Sequence, residues 1–180
     1  MKVDPRISAP VEVMATGCPR SGTLYLAHLL GWEHEKYYGI HRYGNQYELT
    51  TGPAVLPSVS WLAAPYLAKK KTAMVFHLVR NPFEVVRSNN AIGWLRPDDH
   101  WGKFAYSHVK TWDPWIFWLR WNEFCLSASK TMIRLEDISH LATPINTAAV
   151  YQVEIKESPT PEIPREYSKE IHKMITKLGY

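Results

Sequence analysis

Only two cysteines, Cys18 and Cys125, occur in 180 residues, and they lie far apart in the chain. They form neither a CxxC pair nor a zinc-type spacing, so no disulfide framework is expected and a reducing compartment is the default. The eight histidines include no HxxxH pair, and no metal site is indicated. No apolar run is long enough to span a bilayer, and the opening MKVDPRISAPVEVM has no apolar leader core. Basic residues are scattered. The one run, Lys69-Lys70-Lys71, reads as the close of a helix, where cations meet the negative end of the dipole. A nucleic-acid surface clusters its Lys and Arg more than this. These absences together lead to the expectation of a soluble, cytoplasmic chain that binds no nucleic acid, no membrane and no metal.

What is present suits one compact domain over residues 1–180. Hydrophobic residues make up 46% of the chain, enough for a substantial core, and the prolines and glycines are too scattered for a fibrous or disordered protein. The net charge of +4 suits a small anionic ligand.

Several segments have a readable period. VEVMATG, residues 11–17, is a β-type run that ends in glycine. Thr23 to Leu30 reads as a helix stopped by Gly31. Residues 31–57 are polar, aromatic and irregular, and a loop of that length is usually functional. Residues 58–70 read as a helix. TAMVFHLVR, residues 72–80, is nearly continuous in apolar residues, as in a strand buried on both faces. Asn81-Pro82 opens another helix. Residues 93–110 read as irregular and 112–129 as helical, with a strand over 130–138. VYQVEI, residues 150–155, suggests a further short strand. Tyr167, Ile171, Met174, Ile175 and Leu178 form the stripe of a closing helix that ends at Gly179. Strands alternating with helices imply an α/β fold with a mostly parallel central sheet.

The most informative stretch is GCPRSGTLYLAHLLG, residues 17–31. Strand, glycine loop and helix follow in the order that a phosphate loop requires. Gly17 and Gly22 permit the dihedrals that turn backbone N–H groups inward, towards a helix N-terminus that favours an anion. Ser21 and Thr23 add hydroxyls, and Arg20 adds a planar, fully charged fork. Two phosphate chemistries fit poorly. A nucleotide triphosphatase places lysine straight after the second glycine, where this chain has Thr23. A cysteine phosphatase needs arginine six residues after its cysteine, and here that position is Leu24.

The segment PRSGT, residues 19–23, resembles the 5′-phosphosulfate loop of sulfotransferases, which use 3′-phosphoadenosine 5′-phosphosulfate (PAPS). A second element of that family is a strand ending in arginine with a serine eight residues on. RNPFEVVRS has Arg80 and Ser88 at that spacing. MIRLEDI, residues 132–138, is similar to a third family strand, with Glu136 and Asp137 read as structural. The resemblance covers roughly residues 11–138, and the closing KLGY is similar to short prokaryotic and phage-type members.

The resemblance implies a three-layer P-loop nucleotide-binding fold and a transferase that needs no metal. It implies that Gly17, Pro19, Arg20, Ser21, Gly22 and Thr23 cradle the 5′-phosphate, with Arg20 neutralising the leaving group. Arg80 and Ser88 would hold the 3′-phosphate. Tyr25 stands where many members place an adenine-stacking tryptophan. Leu24 replaces a common hydroxyl residue. No glycine-rich basic segment follows late in the chain, where Arg165 or Lys169 would have to substitute. The implied reaction is transfer of a sulfuryl group from PAPS to a hydroxyl or amine acceptor.

Such a reaction needs a base for the acceptor's proton. WEHEKYYGIH, residues 32–41, offers Glu35 first, His34 second and His41 third. Packing against Trp32 or Tyr37 would raise the Glu35 pKa. The bland alternative is a polar surface loop. Trp61, His77 and the tryptophan-rich helix read as core, whereas Trp94, Trp101 and His108 are candidates to line an acceptor pocket. Sugar, peptide tyrosine, lipid and small alcohol are all open as acceptors. The competing functions are a nucleotide-binding relative without transfer activity and a kinase-like phosphotransferase.

Overall fold

The computed structural model describes residues 13–35, 38–43, 46–51, 57–69, 74–93, 95–141 and 158–180. The protein is a mixed α/β structure whose central sheet has five strands, all parallel, flanked by helices. The strand order is β2 (Glu33–His34), β5 (Ser58–Val59), β1 (Val13–Gly17), β6 (Met74–Val79), β7 (Thr131–Arg134). β1 and β6 share the longest register, from Val13 opposite Met74 to Gly17 opposite Leu78. A separate antiparallel hairpin joins β3 (Tyr38–Tyr43) to β4 (Gln46–Thr51).

Side chains alternate across the sheet, so each inner strand feeds two cores. Ala15 and Leu78 pack on one face with Leu26 and Ala27 of α1 (Thr23–Leu30). Met14, Val75 and Val79 pack on the other face. Against them lie α3 (Pro82–Ile92), α5 (Pro114–Ala128) and α7 (Ser168–Lys177), with α2 (Ala64–Leu67) and α4 (His100–Val109) beside them. α5 buries Trp115, Trp118 and Trp121 and carries the Arg120–Glu123 pair on its exposed side. Two of the three indole N–H groups are paired to backbone carbonyls. Trp115 donates to Pro161 O at 2.7 Å and Trp121 donates to Trp61 O at 3.2 Å. Asp113 starts the helix by accepting from the Trp115 and Ile116 amides, both at 2.9 Å.

His77 belongs to this core, as its sequence context indicates. It is fully buried, and its Nε2 lies 3.0 Å from Asn122 Oδ1. Asn122 gives its own N–H₂ to Trp118 O at 2.8 Å, so its oxygen faces the ring and His77 donates. Desolvation lowers the His77 pKa to about 4, which keeps the ring neutral.

Four segments differ from their sequence-based reading. Residues 130–138, expected as one strand, divide into β7 and a single helical turn over Leu135–Ile138. Residues 58–70 are not one helix: β5 takes the first two, and α2 is a single turn ending at Leu67. Pro65 and the need to fill the sheet beside β1 override a weak helical stripe. Residues 31–57, expected to be irregular, contain β2, β3 and β4, because strand pairing supplies a partner that a single-sequence period cannot reveal. Residues 93–110, also expected to be irregular, contain α4, which Asp99 caps through the Trp101 and Gly102 amides. Consequently Trp101 and His108 sit on a packed helix. Trp101 meets Trp61, and His108 meets Tyr66, Phe104, Trp121 and Phe124. They are part of an aromatic cluster rather than the lining of an open loop. Trp94, Lys70, Lys71 and residues 150–155 lie outside the described residues. No helix among the described residues is long and apolar enough to cross a membrane.

Candidate phosphate loop and proton acceptor

Parallel strands bring their carboxyl ends to one edge, the usual place for a ligand in an open α/β sheet. Here that edge gathers the residue after four of the five strands: Glu35 after β2, Ser60 after β5, Cys18 after β1 and Arg80 after β6.

The loop from Cys18 to Gly22 is a tight turn closed by Ser21 N donating to Cys18 O at 3.0 Å. Gly22 has φ +97° and stands at the N-cap of α1 without a side-chain cap, so no side chain of the cap competes for the first amides. Gly17 is required by close packing. A Cβ there would lie 2.5 Å from Leu78 O and closer still to Ser21 Oγ. Ser21 is buried, and its hydroxyl has no hydrogen-bond partner among the described residues. A buried orphan hydroxyl in a glycine turn before a helix is what a site for ligand oxygens requires. Gly17→Ala is therefore expected to destabilise the fold by about 1–3 kcal/mol through overpacking. Urea unfolding would measure this, and an unchanged midpoint would contradict the packing argument.

Arg20 has φ +71°, a left-handed conformation rare for a residue with a Cβ. Its Nε donates to Ser88 Oγ at 2.9 Å. Arg80 Nη1 donates to Arg20 O at 3.3 Å. The loop cation, the strand-end cation and the α3 serine are thus one cluster. Burial, and secondarily the neighbouring Arg80 charge, lowers the Arg20 pKa. Among the described residues Arg20 has no carboxylate partner, whereas Arg80 is 3.8 Å from Glu84, which pairs more closely with Arg87 at 2.6 Å. The sequence reading put Arg20 and Ser88 on opposite phosphates of one nucleotide. The structure brings their side chains into contact.

Glu35 also has a left-handed φ, +52°. Its carboxylate accepts from Ser60 Oγ and from Trp61 N, the latter at 2.9 Å. Desolvation pushes its pKa up to about 7 despite these hydrogen bonds, which act the other way. His34 lies beside it, with Nε2 3.8 Å from Glu35 Oε1 and 3.3 Å from Thr23 Oγ1. Burial, and secondarily His28, lowers the His34 pKa, so the ring is neutral at pH 7. Thr23, His34 and Glu35 therefore form a chain from the first residue of α1 to the edge of β5. His41 lies in β3, opposite Glu48 in the hairpin register, and its side chain is outside the described residues.

Tyr25 is half-buried, and its hydroxyl donates to Ile138 O at 3.2 Å or Ser139 O at 3.1 Å. These carbonyls close α6 (Leu135–Ile138). Glu136, in the same turn, accepts from Asn81 N at 2.8 Å and from Tyr180 Oη at 2.6 Å. It ties β7 to the start of α3, in keeping with a structural role. Arg165 and Lys169 are exposed.

No family model matches the chain, and no curated protein matches it. Among solved structures it is similar to mouse sulfotransferase SULT7A1 complexed with PAP, at 14% identity and a TM-score of 0.39. The match covers 94% of this chain and 63% of that one, so this chain spans less than two thirds of that relative's length.

Two site residues carry no sequence signal of their own. Asn89 donates from Nδ2 to Pro19 O at 3.2 Å and so holds the loop against α3. Ser60 reaches Glu35 only because β5 lies beside β2. Both are ordinary polar residues in the sequence, and the contact becomes visible only once the elements are packed.

Proposed function

We propose that this protein transfers a sulfuryl group from PAPS to a hydroxyl or amine acceptor. The observation that carries the reading is the convergence of Arg20, Arg80 and Ser88 from three elements on one point beside a glycine turn. The Arg80 charge disfavours the charged form of Arg20, and an anion bound beside both would relieve that repulsion. The orphan hydroxyl of Ser21 and the uncapped start of α1 at Gly22 fit a second phosphate group nearby.

When bound, PAPS supplies the activated sulfuryl group: the acceptor atom bonds to sulfur, the sulfur–oxygen bond to the 5′-phosphate breaks, and that electron pair leaves with adenosine 3′,5′-bisphosphate. The residues of this chain then divide the work. Ser21, Gly22 and Thr23 hold the 5′-phosphate oxygens, with Gly17 and Pro19 shaping the turn. Arg80 and Ser88 would hold the 3′-phosphate, and Arg20 would neutralise charge on the leaving group. Glu35 accepts the acceptor's proton, since a carboxylate of pKa about 7 is a competent base near neutral pH. His34, neutral and within reach of both Thr23 and Glu35, orients the two. The tyrosine at Tyr25 offers a ring face for adenine.

Calorimetric titration with adenosine 3′,5′-bisphosphate, set against ATP with Mg²⁺, tests the reading. The bisphosphate is expected to bind at least tenfold more tightly, about 1.4 kcal/mol. Equal or tighter binding of ATP would overturn the assignment of Arg80 and Ser88 to a 3′-phosphate. Bisphosphate binding with no transfer to sugar, tyrosyl peptide, lipid or small-alcohol acceptors would point to a nucleotide-binding protein without the reaction.

A further inference from the structure

The groups that hold Glu35 come from outside the phosphate loop. We infer that Ser60 is a positioning residue for the Glu35 carboxyl group, holding it through a hydroxyl that serves both the ionised and the protonated acid. The inference rests on the reading of Glu35 as the proton acceptor.

The geometry is reciprocal. Glu35 N donates to Val59 O at 3.2 Å, which fastens the backbone of Glu35 to β5. The next two residues of that strand end reach back, with Ser60 Oγ donating to Oε2 and Trp61 N donating to Oε1. Ser60 is itself fixed, since it is fully buried and its N–H donates to Ala15 O of β1 at 2.9 Å. The left-handed φ of Glu35 belongs to this closed arrangement, and such strain persists only where surroundings over-determine it. On its other side the carboxyl group faces His34, behind which lie Thr23 and His28.

The Ser60 and Trp61 donors are not equivalent. A backbone N–H only donates, so the Trp61 amide favours the ionised acid. A hydroxyl donates and accepts. Ser60 gives its hydrogen to the carboxylate, and it takes a hydrogen bond from the same oxygen once Glu35 has gained the acceptor's proton. The carboxyl group keeps a partner through the proton transfer without turning, which a merely space-filling serine would not provide.

The test uses Ser60→Ala, Ser60→Thr, Ser60→Cys, Glu35→Gln and the Ser60→Ala/Glu35→Gln double variant in the full chain. The Glu35 side-chain carboxyl is titrated by ¹³C NMR, alongside kcat, KM and thermal unfolding. Ser60→Ala is expected to move the Glu35 midpoint upward from about 7, because a hydrogen bond to the carboxylate is lost. Its kcat falls about tenfold with KM for the donor unchanged. Ser60→Thr restores both. Ser60→Cys, a weaker donor of similar size, moves the midpoint the same way and covers the case in which alanine unfolds the chain. The double variant is no slower than Glu35→Gln alone. An unmoved midpoint in the alanine and cysteine variants, or a loss that tracks only the unfolded fraction, overturns the inference. If the wild type transfers no sulfuryl group, the proposed function falls, and the NMR midpoint still decides whether Ser60 holds Glu35.

Discussion

Glu35→Gln is expected to lower the turnover of the proposed sulfuryl transfer by about 10²–10⁴-fold while leaving bisphosphate affinity unchanged. The amide preserves size and can still accept from Trp61 N and bond to Ser60, so the cradle survives and only the base is lost. The pH profile separates this from a loss of shape. In the wild type, turnover is expected to fall about tenfold per pH unit below about 7, as the carboxylate is protonated. In the glutamine variant that limb is absent. Stability moves in the opposite direction. The folded-state pKa lies above the ordinary 4.5, so the folded chain binds the proton more tightly than the unfolded chain. The stabilising contribution of that proton is complete below about 4.5 and is lost as pH rises through about 7. At pH 8 the wild type therefore holds a desolvated carboxylate that the variant lacks. Denaturant unfolding at pH 8 is expected to show the variant more stable by about 1–3 kcal/mol, with the gap closing towards pH 5. A variant that keeps full turnover would remove Glu35 from the reaction, and one less stable at pH 8 would contradict the desolvation argument.

Arg20→Ala is expected to weaken binding of adenosine 3′,5′-bisphosphate by about 10–150-fold, the cost of losing a partly buried charge-assisted contact of about 1.5–3 kcal/mol. The same change leaves thermal stability of the ligand-free protein equal or higher. Arg20 is desolvated beside Arg80, and its only described side-chain hydrogen bond is to Ser88. Removing it relieves a like-charge repulsion at the expense of one neutral partner. Calorimetry and thermal unfolding on the same preparation check the two halves together. A structural arginine would show the reverse pattern, a lower midpoint with little change in affinity. The affinity loss also shrinks as salt is raised, because part of the term is screened.

Much of the fold was legible in local patterns. The run that ends at Gly17, the Gly22–Thr23 start of α1, the apolar strand before Arg80 and the Asn81-Pro82 start of α3 are each governed by short-range rules. Those rules are the φ freedom of glycine, the fixed φ of proline and the two-sided burial of an inner parallel strand. The short elements were not legible. β2 and β5 are two residues each, too brief to show a period, and they exist because β1 offers an unpaired edge. α4 was hidden because its apolar residues serve an aromatic cluster rather than a plain stripe.

The chain alone therefore supplied the candidate phosphate loop, the order along the sequence of the chemistry-bearing segments, and Arg20, Glu35, Arg80 and Ser88 as candidates. Tertiary structure decided which of them touch. Arg20 meets Ser88 across 68 positions of sequence, and Ser60 meets Glu35 across 25. Such contacts follow from parallel strands delivering their carboxyl ends to one edge, and that edge depends on long-range pairing that no local propensity encodes.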